Sequence, residues 1–329
     1  MALDPARSAV RLAVRRYFRA DWGQRHLVAC SGGADSLALL AACVFEGHKE
    51  ACQVIGVVVD HGLQEGSAEH TGRVVAQMAA LGADETASIR VSVDAGPAGT
   101  EAGAREARYA ALGQLAQHFD ARLVFLGHTL DDQAESVLLG LTRGSGGRSL
   151  QGMRRYFVAP GGGPAFARPL LDLTRAQTEA ACRADGITWW EDPHNADPRF
   201  TRSRIRHTVM PTLERELGPG VAQALARTAD QLREDIELID PLVEAARARS
   251  RVGGGVDLDE IDDVGDAVRS RVVRAAAIEA GAIPSELTWD HVRALLGLVG
   301  TKGRVVQLPG HVTAYADGEV LLFRRTEDA

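Results

Sequence analysis

Short apolar runs alternate with helix-like segments through the first 130 residues, and this alternation limits the fold more than any other feature. The runs are HLVAC (26–30), QVIGVVVD (53–60), ASIRVSV (87–93) and RLVFLG (122–127). Each run is continuously apolar rather than alternating, which is typical of parallel strands covered on both faces. We therefore predict an α/β domain with a doubly wound, five-stranded parallel sheet, whose fifth strand is GITWW at 186–190.

Other segments suggest where the domains begin and end. An amphipathic helix is predicted at residues 5–20, and a surface loop at 150–168, where the stretch PGGGP occurs. The tail resembles a hairpin that turns at Asp317-Gly318. We predict a catalytic domain at 1–215, followed at 216–329 by a helical connector and a small, mainly helical C-terminal domain.

The composition excludes several classes of protein. The chain has 329 residues, of which 45% are apolar and 25% charged, as in soluble globular proteins. No run reaches the roughly 18 apolar residues of a membrane helix, and the first residues lack a signal-peptide core. The four cysteines form no C-x-x-C pair, so we expect free, mostly buried thiols in a cytoplasmic protein rather than disulfides or a zinc site.

The charge distribution is uneven. The net charge of −7 alone argues against a nucleic-acid partner. Residues 143–207, however, contain eleven arginines and six acids, a local excess of five positive charges. This basic tract could face phosphate groups.

The stretch CSGGADSLA (30–38) follows the first predicted strand and opens the next helix. It has two interpretations: a turn in which Asp35 or Ser36 caps the helix, or a loop that holds phosphate. Its position favours phosphate, because ligands of doubly wound sheets bind at the carboxyl ends of the strands. The chain has neither G-x-x-x-x-G-K-[ST] nor G-x-G-x-x-G, which excludes two common phosphate loops.

A second polar stretch, LGHTLDDQAESVLLGL (126–141), also follows a predicted strand. Within it, Thr129-x-x-Asp132 is typical of a helix cap, which explains Asp132 but not His128, Asp131 and Glu135. Carboxylates in this arrangement suit a hard cation that is shared with nucleotide phosphates. We therefore predict a catalytic group here.

The S-G-G-x-D-S string resembles the pyrophosphate-binding loop of the N-type ATP pyrophosphatases. Further motifs follow in one order: VDHGL (59–63), REARY (105–109), RPLL (168–171) and WEDPHNADPRFTRSRIRHTVMP (190–211). Together they resemble the tRNA(Ile)-lysidine synthetase family over about residues 25–215. Ser203 is a departure, since the family usually has Asn at this position.

The resemblance implies an adenine nucleotide α-hydrolase-like fold and a defined reaction. ATP adenylates the C2 oxygen of the wobble cytidine in a tRNA(Ile) with a CAU anticodon, pyrophosphate leaves, and L-lysine then displaces AMP. Mg²⁺ is the implied metal ion. No membrane partner is expected, and the oligomeric state is left open, with a homodimer as one option.

The resemblance also assigns residues to roles. The implied ATP contacts are Ser31, Gly32, Gly33, Ala34, Asp35, Ser36, Asp60 and His61. The implied catalytic residues are Asp35, Arg108, His128, Asp131, Asp132 and Glu135, with Asp35, Asp131 and Asp132 as candidates for holding Mg²⁺. The candidates for contact with tRNA or active-site anions are Arg143, Arg148, Arg199, Arg202, Arg204 and Arg206.

Two other classes of function compete with this one. Another ATP pyrophosphatase could act on tRNA as a thiolase, or on a small molecule as a GMP or NAD synthetase does. Iron–sulfur thiolases need paired cysteines, which the chain lacks. A nucleotide-binding sensor without catalysis would have no need of His128, Asp131 and Glu135 together.

Overall fold

The computed structural model describes residues 4–18, 22–60, 62, 66–91, 100–143, 146–192, 196–301 and 303–326. The chain divides into two compact units. The first contains Met1–Ser136 and Met153–Ala226, and the second contains Val137–Gly152 and Arg227–Ala329. His61, one of the predicted ATP contacts, lies outside the described residues.

The first unit is built on a six-stranded, mostly parallel sheet. Its strands are β1 (Arg25–Ala29), β2 (Gln53–Asp60), β3 (Glu85–Arg90), β4 (Leu123–Leu126), β5 (Tyr156–Val158) and β6 (Ala165–Ala167), in the order β3-β2-β1-β4-β6-β5. Only the edge strand β5 runs antiparallel to its neighbour. The structure thus confirms the predicted α/β class and the first four strands.

The helices of this unit alternate with the strands from α1 to α5. They are α1 (Pro5–Phe18), α2 (Ala34–Lys49), α3 (Ser67–Ala80), α4 (Thr100–His118), α5 (Leu130–Arg143), α7 (Arg175–Ala184), α8 (Thr201–Arg204) and α9 (Met210–Leu217), with a π-helical turn at Ile205–Val209. The short helix α6 (Gly147–Leu150) and the second half of α5 belong to the second unit. The predicted capping box at Thr174 and Gln177 is present at the start of α7.

The fifth parallel strand lies elsewhere than the sequence predicted. It is β6, which pairs with β4 and forms a hairpin with β5 inside the segment predicted to be a loop. Residues 187–190, all of them described, are not part of any strand. Instead Ile187 packs into the core and the Trp190 ring contacts His70, with ring centroids 3.9 Å apart and ring planes tilted by 41°.

Apolar side chains fill both faces of the sheet, as the continuous apolar runs predicted. In β1, Val28 joins the core beneath α1, α2 and α7, whereas Leu27 joins the core on the α4 side. In β4, Phe125 and Val124 divide in the same way. The carboxyl ends of β1, β2 and β4 consequently lie at one edge of the sheet, where polar side chains can be held in fixed positions.

The second unit combines helices with a five-stranded antiparallel sheet. Its remaining helices are α10 (Val221–Ser250), which belongs to this unit from Arg227 onward, α11 (Asp266–Glu279) and α12 (Trp289–Leu296). Its strands are β7 (Arg251–Val252), β8 (Gly255–Asp257), β9 (Val305–Leu308), β10 (Val312–Asp317) and β11 (Val320–Arg325). The strand order is β7-β8-β11-β10-β9. The predicted hairpin at Asp317-Gly318 joins β10 to β11, but the full sheet exceeds what the sequence predicted.

The four cysteines, Cys30, Cys43, Cys52 and Cys182, are free and buried, as expected. Burial raises the pKa of each of these thiols above its ordinary value. They are therefore protonated and unreactive at neutral pH. Among the helices of the described residues, none is long and apolar enough to cross a bilayer.

His26 of β1 should make the fold acid-sensitive. Its side chain is buried between Phe18 and Phe125, and neither ring nitrogen has a hydrogen-bond partner among the described residues. Burial lowers its pKa from 6.5 to about 4. The pKa of His26 is lower in the folded state than in the unfolded state. The free energy of unfolding is therefore unaffected by His26 above pH 6.5, and it falls by up to about 3 kcal/mol as the pH drops toward 4.

We expect His26→Phe to remove most of this acid sensitivity. Urea denaturation between pH 4 and 7 measures it, with the exposed His118→Gln as the control variant. A pH dependence in His26→Phe equal to that of the parent protein would contradict this assignment.

Candidate active site

The loop of residues 31–36 joins β1 to α2 and presents the helix N-terminus. Gly33 is the N-cap residue of α2, so no side chain blocks the first N–H groups of the helix. The Ser36 hydroxyl donates to the Gly33 carbonyl (2.9 Å) and accepts from the Ser31 N–H (3.1 Å). Ser36 therefore shapes the loop, and the proposed cap by Asp35 or Ser36 is not how this helix begins.

Gly32 is required by both conformation and space. Its φ is +84°, and a Cβ there would lie 2.8 Å from Val74 and 3.1 Å from the His70 ring. The Gly32 carbonyl accepts from the Trp190 N–H (2.9 Å), and the Ser31 carbonyl lies 3.1 Å from His70 Nε2. The carbonyl groups of Ser31 and Gly32 are therefore occupied by contacts with His70 and Trp190. The backbone N–H groups of the loop are left to bind an anion.

Gly127 allows the two polar stretches to approach each other. A Cβ on Gly127 would lie only 3.1 Å from the backbone N and Cα of Ser36. The end of β4 therefore packs directly on the first turn of α2. As a result, the acids at the start of α5 lie beside Asp35.

Arg175, the first residue of α7, contacts each of these acids. Its Nη2 donates to Asp132 Oδ1 (3.0 Å), its Nε donates to Asp35 Oδ2 (3.4 Å), and its Nη1 lies 3.9 Å from Glu135 Oε1. Its backbone N–H donates to Asp131 Oδ2 (2.8 Å). Asp35 also accepts a hydrogen bond from the Thr178 hydroxyl. The structure thus brings Asp35, Asp131, Asp132 and Glu135 together, as predicted.

A second guanidinium, that of Arg206, completes the cluster. It binds Glu135 through two hydrogen bonds, Nε to Oε1 at 2.7 Å and Nη2 to Oε2 at 3.0 Å, and reaches Asp132 Oδ1 at 3.2 Å. The Glu135 side chain is almost fully buried. Arg202 lies nearby, where its Nη2 donates to the Ser136 hydroxyl (3.4 Å).

The pKa shifts reflect this mixture of burial and charge. Burial raises the pKa of Asp35 to about 6, although Arg175 and Thr178 oppose the rise. Burial acts in the same direction on Asp132, but the neighbouring positive charges, led by Arg175, and the hydrogen bond from the Thr129 N–H together outweigh it and keep the pKa of Asp132 below its ordinary value. The surrounding carboxylates, led by Asp132, outweigh burial and raise the pKa of Arg175.

His128 and Arg108 lie on the cationic side of the site. Burial lowers the pKa of His128 to about 3, and the charges of Arg168, Arg105 and Arg108 act in the same direction. Arg108 is exposed on α4, and partial desolvation of its guanidinium lowers its pKa.

The remaining predicted contacts occupy different surroundings. Asp60 is buried at the end of β2, where its carboxylate accepts from the Gly62 N–H (2.8 Å) and from Arg90 Nε (2.9 Å). Arg199 pairs with Asp197, and Arg204 donates to the carbonyls of Pro198 and Arg199. Both are exposed, Arg199 just before α8 and Arg204 at its last residue.

The last two predicted arginines belong to the second unit. Arg148 pairs there with Asp240. The side chain of Arg143 lies outside the described part of the structure.

The donor set suits a magnesium ion that arrives with nucleotide. Within the described residues, no group of three or more acidic, His or Cys side chains is arranged to hold a metal ion. Mg²⁺, however, commonly uses one or two carboxylates together with water and substrate phosphates. Asp35 and Asp132 interact through their charges and share Arg175, so they can supply such a pair.

Sequence reasoning assigned no role to Arg175, Arg168, His70 or Trp190, although the quoted stretches RPLL and WEDPHNADPRFTRSRIRHTVMP begin with Arg168 and Trp190. One signal was available for Arg175. The capping box at Thr174 fixes the start of α7 and so places Arg175 in its first turn, facing the acids across from it. No comparable signal marks His70, because its partners are about 40 and 120 residues away.

Comparison with known proteins identifies the family. A model of the PP-loop domain family (ATP_bind_3) matches residues 7–213. A tRNA(Ile)-lysidine synthase of Rhodococcus erythropolis is 50% identical over 300 residues, or 90% of this chain and 86% of that protein. A tRNA(Ile)-lysidine synthase of Thermobifida fusca is 47% identical over 93% of this chain and 94% of that protein. The chain belongs to the tRNA(Ile)-lysidine synthase family of PP-loop proteins.

Among solved structures, the U34-tRNA thiolase NcsA of Methanococcus maripaludis shares the fold. Its TM-score is 0.56 with 17% identity, over 70% of this chain and 78% of that chain. At this identity the likeness concerns the fold alone. It agrees with the α/β class derived from the apolar runs.

The pair formed by Arg206 and Glu135 should contribute to stability. Removing Arg206 leaves the Glu135 carboxylate buried without its bidentate partner, which typically costs about 3–5 kcal/mol. We expect Arg206→Ala to lower the free energy of unfolding by about that amount, and Arg206→Ala combined with Glu135→Gln to lower it by less than the sum of the single changes.

Urea denaturation of the four proteins in this cycle measures the coupling. Arg199→Ala is the matched control, because its exposed pair with Asp197 should contribute no more than about 1 kcal/mol. Additivity of the two single changes within about 0.5 kcal/mol would show that the pair is energetically unimportant.

Proposed function

We propose that this protein ligates L-lysine to C2 of the wobble cytidine of tRNA(Ile) with a CAU anticodon and forms lysidine at the expense of ATP. The observation that carries the proposal is the meeting of an uncapped phosphate loop with a cluster of acids and arginines, in a chain of this family. ATP, lysine and tRNA are cytoplasmic, and we expect the protein to act there.

The first step is the transfer of AMP to the substrate. The C2 oxygen of cytidine attacks the α-phosphorus of ATP, and the bond between this phosphorus and pyrophosphate breaks. The N–H groups of the loop and the start of α2 would hold the leaving pyrophosphate, because Gly33 leaves them uncapped. Bound Mg²⁺ would neutralise charge on the phosphate oxygens, with Asp35 and Asp132 as its protein ligands and Asp131 as a further candidate.

Arg175 would change partners during this step. In the described structure its guanidinium neutralises Asp35 and Asp132, the two carboxylates proposed to hold the metal. Nucleotide phosphates bring compensating negative charge, so the guanidinium can turn from carboxylate to phosphate. Arg108, whose positive charge acts on His128, is proposed to balance charge on the α-phosphate.

The second step is displacement at carbon. The amine of lysine attacks C2, the C2–O bond breaks, AMP leaves, and the amine loses a proton. A carboxylate would help to orient the lysine ammonium before this attack, and Glu135 is held for such a role by Arg206. The four buried, protonated cysteines do not suit the sulfur transfer of a thiolase.

The basic tract is proposed to bind tRNA. Arg199 and Arg204 are exposed, and their side chains donate to the Asp197 carboxylate and the Pro198 carbonyl, respectively. They can therefore contact RNA phosphates without a change in the core. Arg143, Arg148, Arg202 and Arg206 stay predicted contacts with tRNA or with active-site anions. The segment 216–329 is proposed to take part in the same binding.

The Asp35→Asn variant tests the catalytic proposal. The substitution keeps the shape of the side chain but removes the charge proposed to hold the metal, so we expect lysidine formation to fall at least about a hundredfold. The assay incubates the protein with ATP, Mg²⁺, lysine and tRNA(Ile), and then measures lysidine in the digested tRNA by mass spectrometry.

The Asp172→Asn variant is the matched control, because Asp172 is exposed and pairs with Arg155 away from the cluster. A tRNA with U34 in place of C34 should receive no lysine. Pyrophosphate release by the parent protein without lysine on any cytidine would overturn the proposal in favour of another ATP pyrophosphatase.

The Arg199→Ala, Arg204→Ala double variant tests the tRNA surface. Each phosphate contact that is removed lowers the number of counterions released when tRNA binds. The slope of log Kd against log salt concentration should therefore become less steep by about 1 to 2. The control is Arg25→Ala at the amino end of β1, the opposite edge of the sheet. An unchanged slope in the double variant would place these arginines outside the interface.

A further inference from the structure

His128 lies between β4 and α5, and one of its ring nitrogens accepts a hydrogen bond from the protein. Arg168 Nε donates to His128 Nδ1 at 3.3 Å. A guanidinium has only donors, so Nδ1 must be the unprotonated acceptor and the single proton of the neutral ring is on Nε2. His128 Nε2 makes no hydrogen bond within the described part of the chain, and the side chain is partly exposed.

We propose that Arg168 is a positioning residue that fixes His128 as a neutral Nε2–H donor to a phosphate oxygen of the nucleotide. In this role His128 stabilises negative charge and accepts no proton from the substrate. The inference rests on the proposed function, because the phosphate oxygen is taken to belong to ATP or to the adenylated cytidine.

Arg168 is held firmly enough to set the tautomer. Its side chain is buried, with 3% of the residue exposed. Nη2 donates to the Tyr109 hydroxyl (2.7 Å), Nη1 donates to the Arg154 carbonyl, and the guanidinium lies 4.8 Å from the Phe157 ring centroid. Tyr109 in turn packs edge-on against Phe166, a buried residue of β6. The orientation of Nε is therefore fixed by contacts on several sides.

The surroundings of His128 suit an anion. Arg105, Arg108 and Arg168 all act on its ring through their positive charges, whereas Asp132 is the carboxylate that opposes them. Burial already keeps the pKa of the ring low, so the ring is neutral at physiological pH. A neutral imidazole that donates from Nε2 is an established means of stabilising developing negative charge.

The tautomer can be read directly on the protein without substrate. Nitrogen-15 NMR of protein labelled in histidine distinguishes the Nε2–H from the Nδ1–H form, and His128→Asn identifies the signals of His128. We expect the Nε2–H form in the parent protein and a mixture of forms in Arg168→Met. A parent protein in the Nδ1–H form would overturn the inference without any use of the variant.

The chemical role can be read from two substitutions. The amide nitrogen of Gln can reach the position of Nε2, whereas that of Asn can reach only the position of Nδ1. We expect His128→Gln to keep kcat for lysidine formation within about tenfold of the parent, and His128→Asn to lose about 10²- to 10³-fold. Equal, complete loss in both variants, each folded by circular dichroism, would indicate proton transfer and refute the donor role.

These results separate the two levels of the proposal. If the parent protein forms no lysidine, the proposed function fails, yet the NMR spectrum still reports the tautomer that Arg168 imposes. If lysidine forms and the tautomer is wrong, only the role of Arg168 and His128 fails.

Discussion

The balance of charge around Arg175 is the constraint on which the rest of the site depends. Helices α2 and α5 begin at the same edge of the sheet as α7, and they place Asp35, Asp131, Asp132 and Glu135 in a poorly solvated space. The Leu130 N–H at the start of α5 donates to the Leu173 carbonyl just before α7 (2.9 Å), which ties the two helix starts together. Arg175 and Arg206 then neutralise the acids, so the cluster is stable before any ligand binds.

Asp132 shows that a structural and a functional role can share one side chain. Its Oδ2 accepts from the backbone N–H and hydroxyl of Thr129, as a capping residue does. Its Oδ1 accepts from Arg175 and Arg206. The helix cap aims the second oxygen at the site. The capping pattern in the sequence was therefore compatible with the catalytic interpretation and did not compete with it.

Much of the fold could be predicted from local sequence, and the exceptions have physical causes. The long apolar runs identified β1, β2 and β4 because both faces of each are largely buried, and they also identified the edge strand β3, which is only partly buried. GITWW has the β-branched and aromatic residues of a strand, but the contacts of Ile187 and Trp190 hold it outside the sheet. β6 has only three residues and follows a glycine-rich turn, so its sequence carried no strand signal of its own.

The site was predictable to the extent that its residues cluster along the chain. The loop at 31–36 and the acids at 131–135 are each compact motifs. Arg175, Arg168 and His70 come from distant segments and meet them only after folding, so no local pattern could reveal their partners. The packing of α7 brings Arg175 to the acids, and the β5–β6 hairpin brings Arg168, which follows β6, to His128.

The burial of all four thiols has a practical consequence for experiments. Maleimide reagents react with exposed thiolates, and the native cysteines are both shielded and protonated. A single cysteine introduced on the surface should therefore accept a fluorophore or spin label selectively, with the native sequence otherwise unchanged. Distances between the two units, with and without RNA, could then be followed in solution.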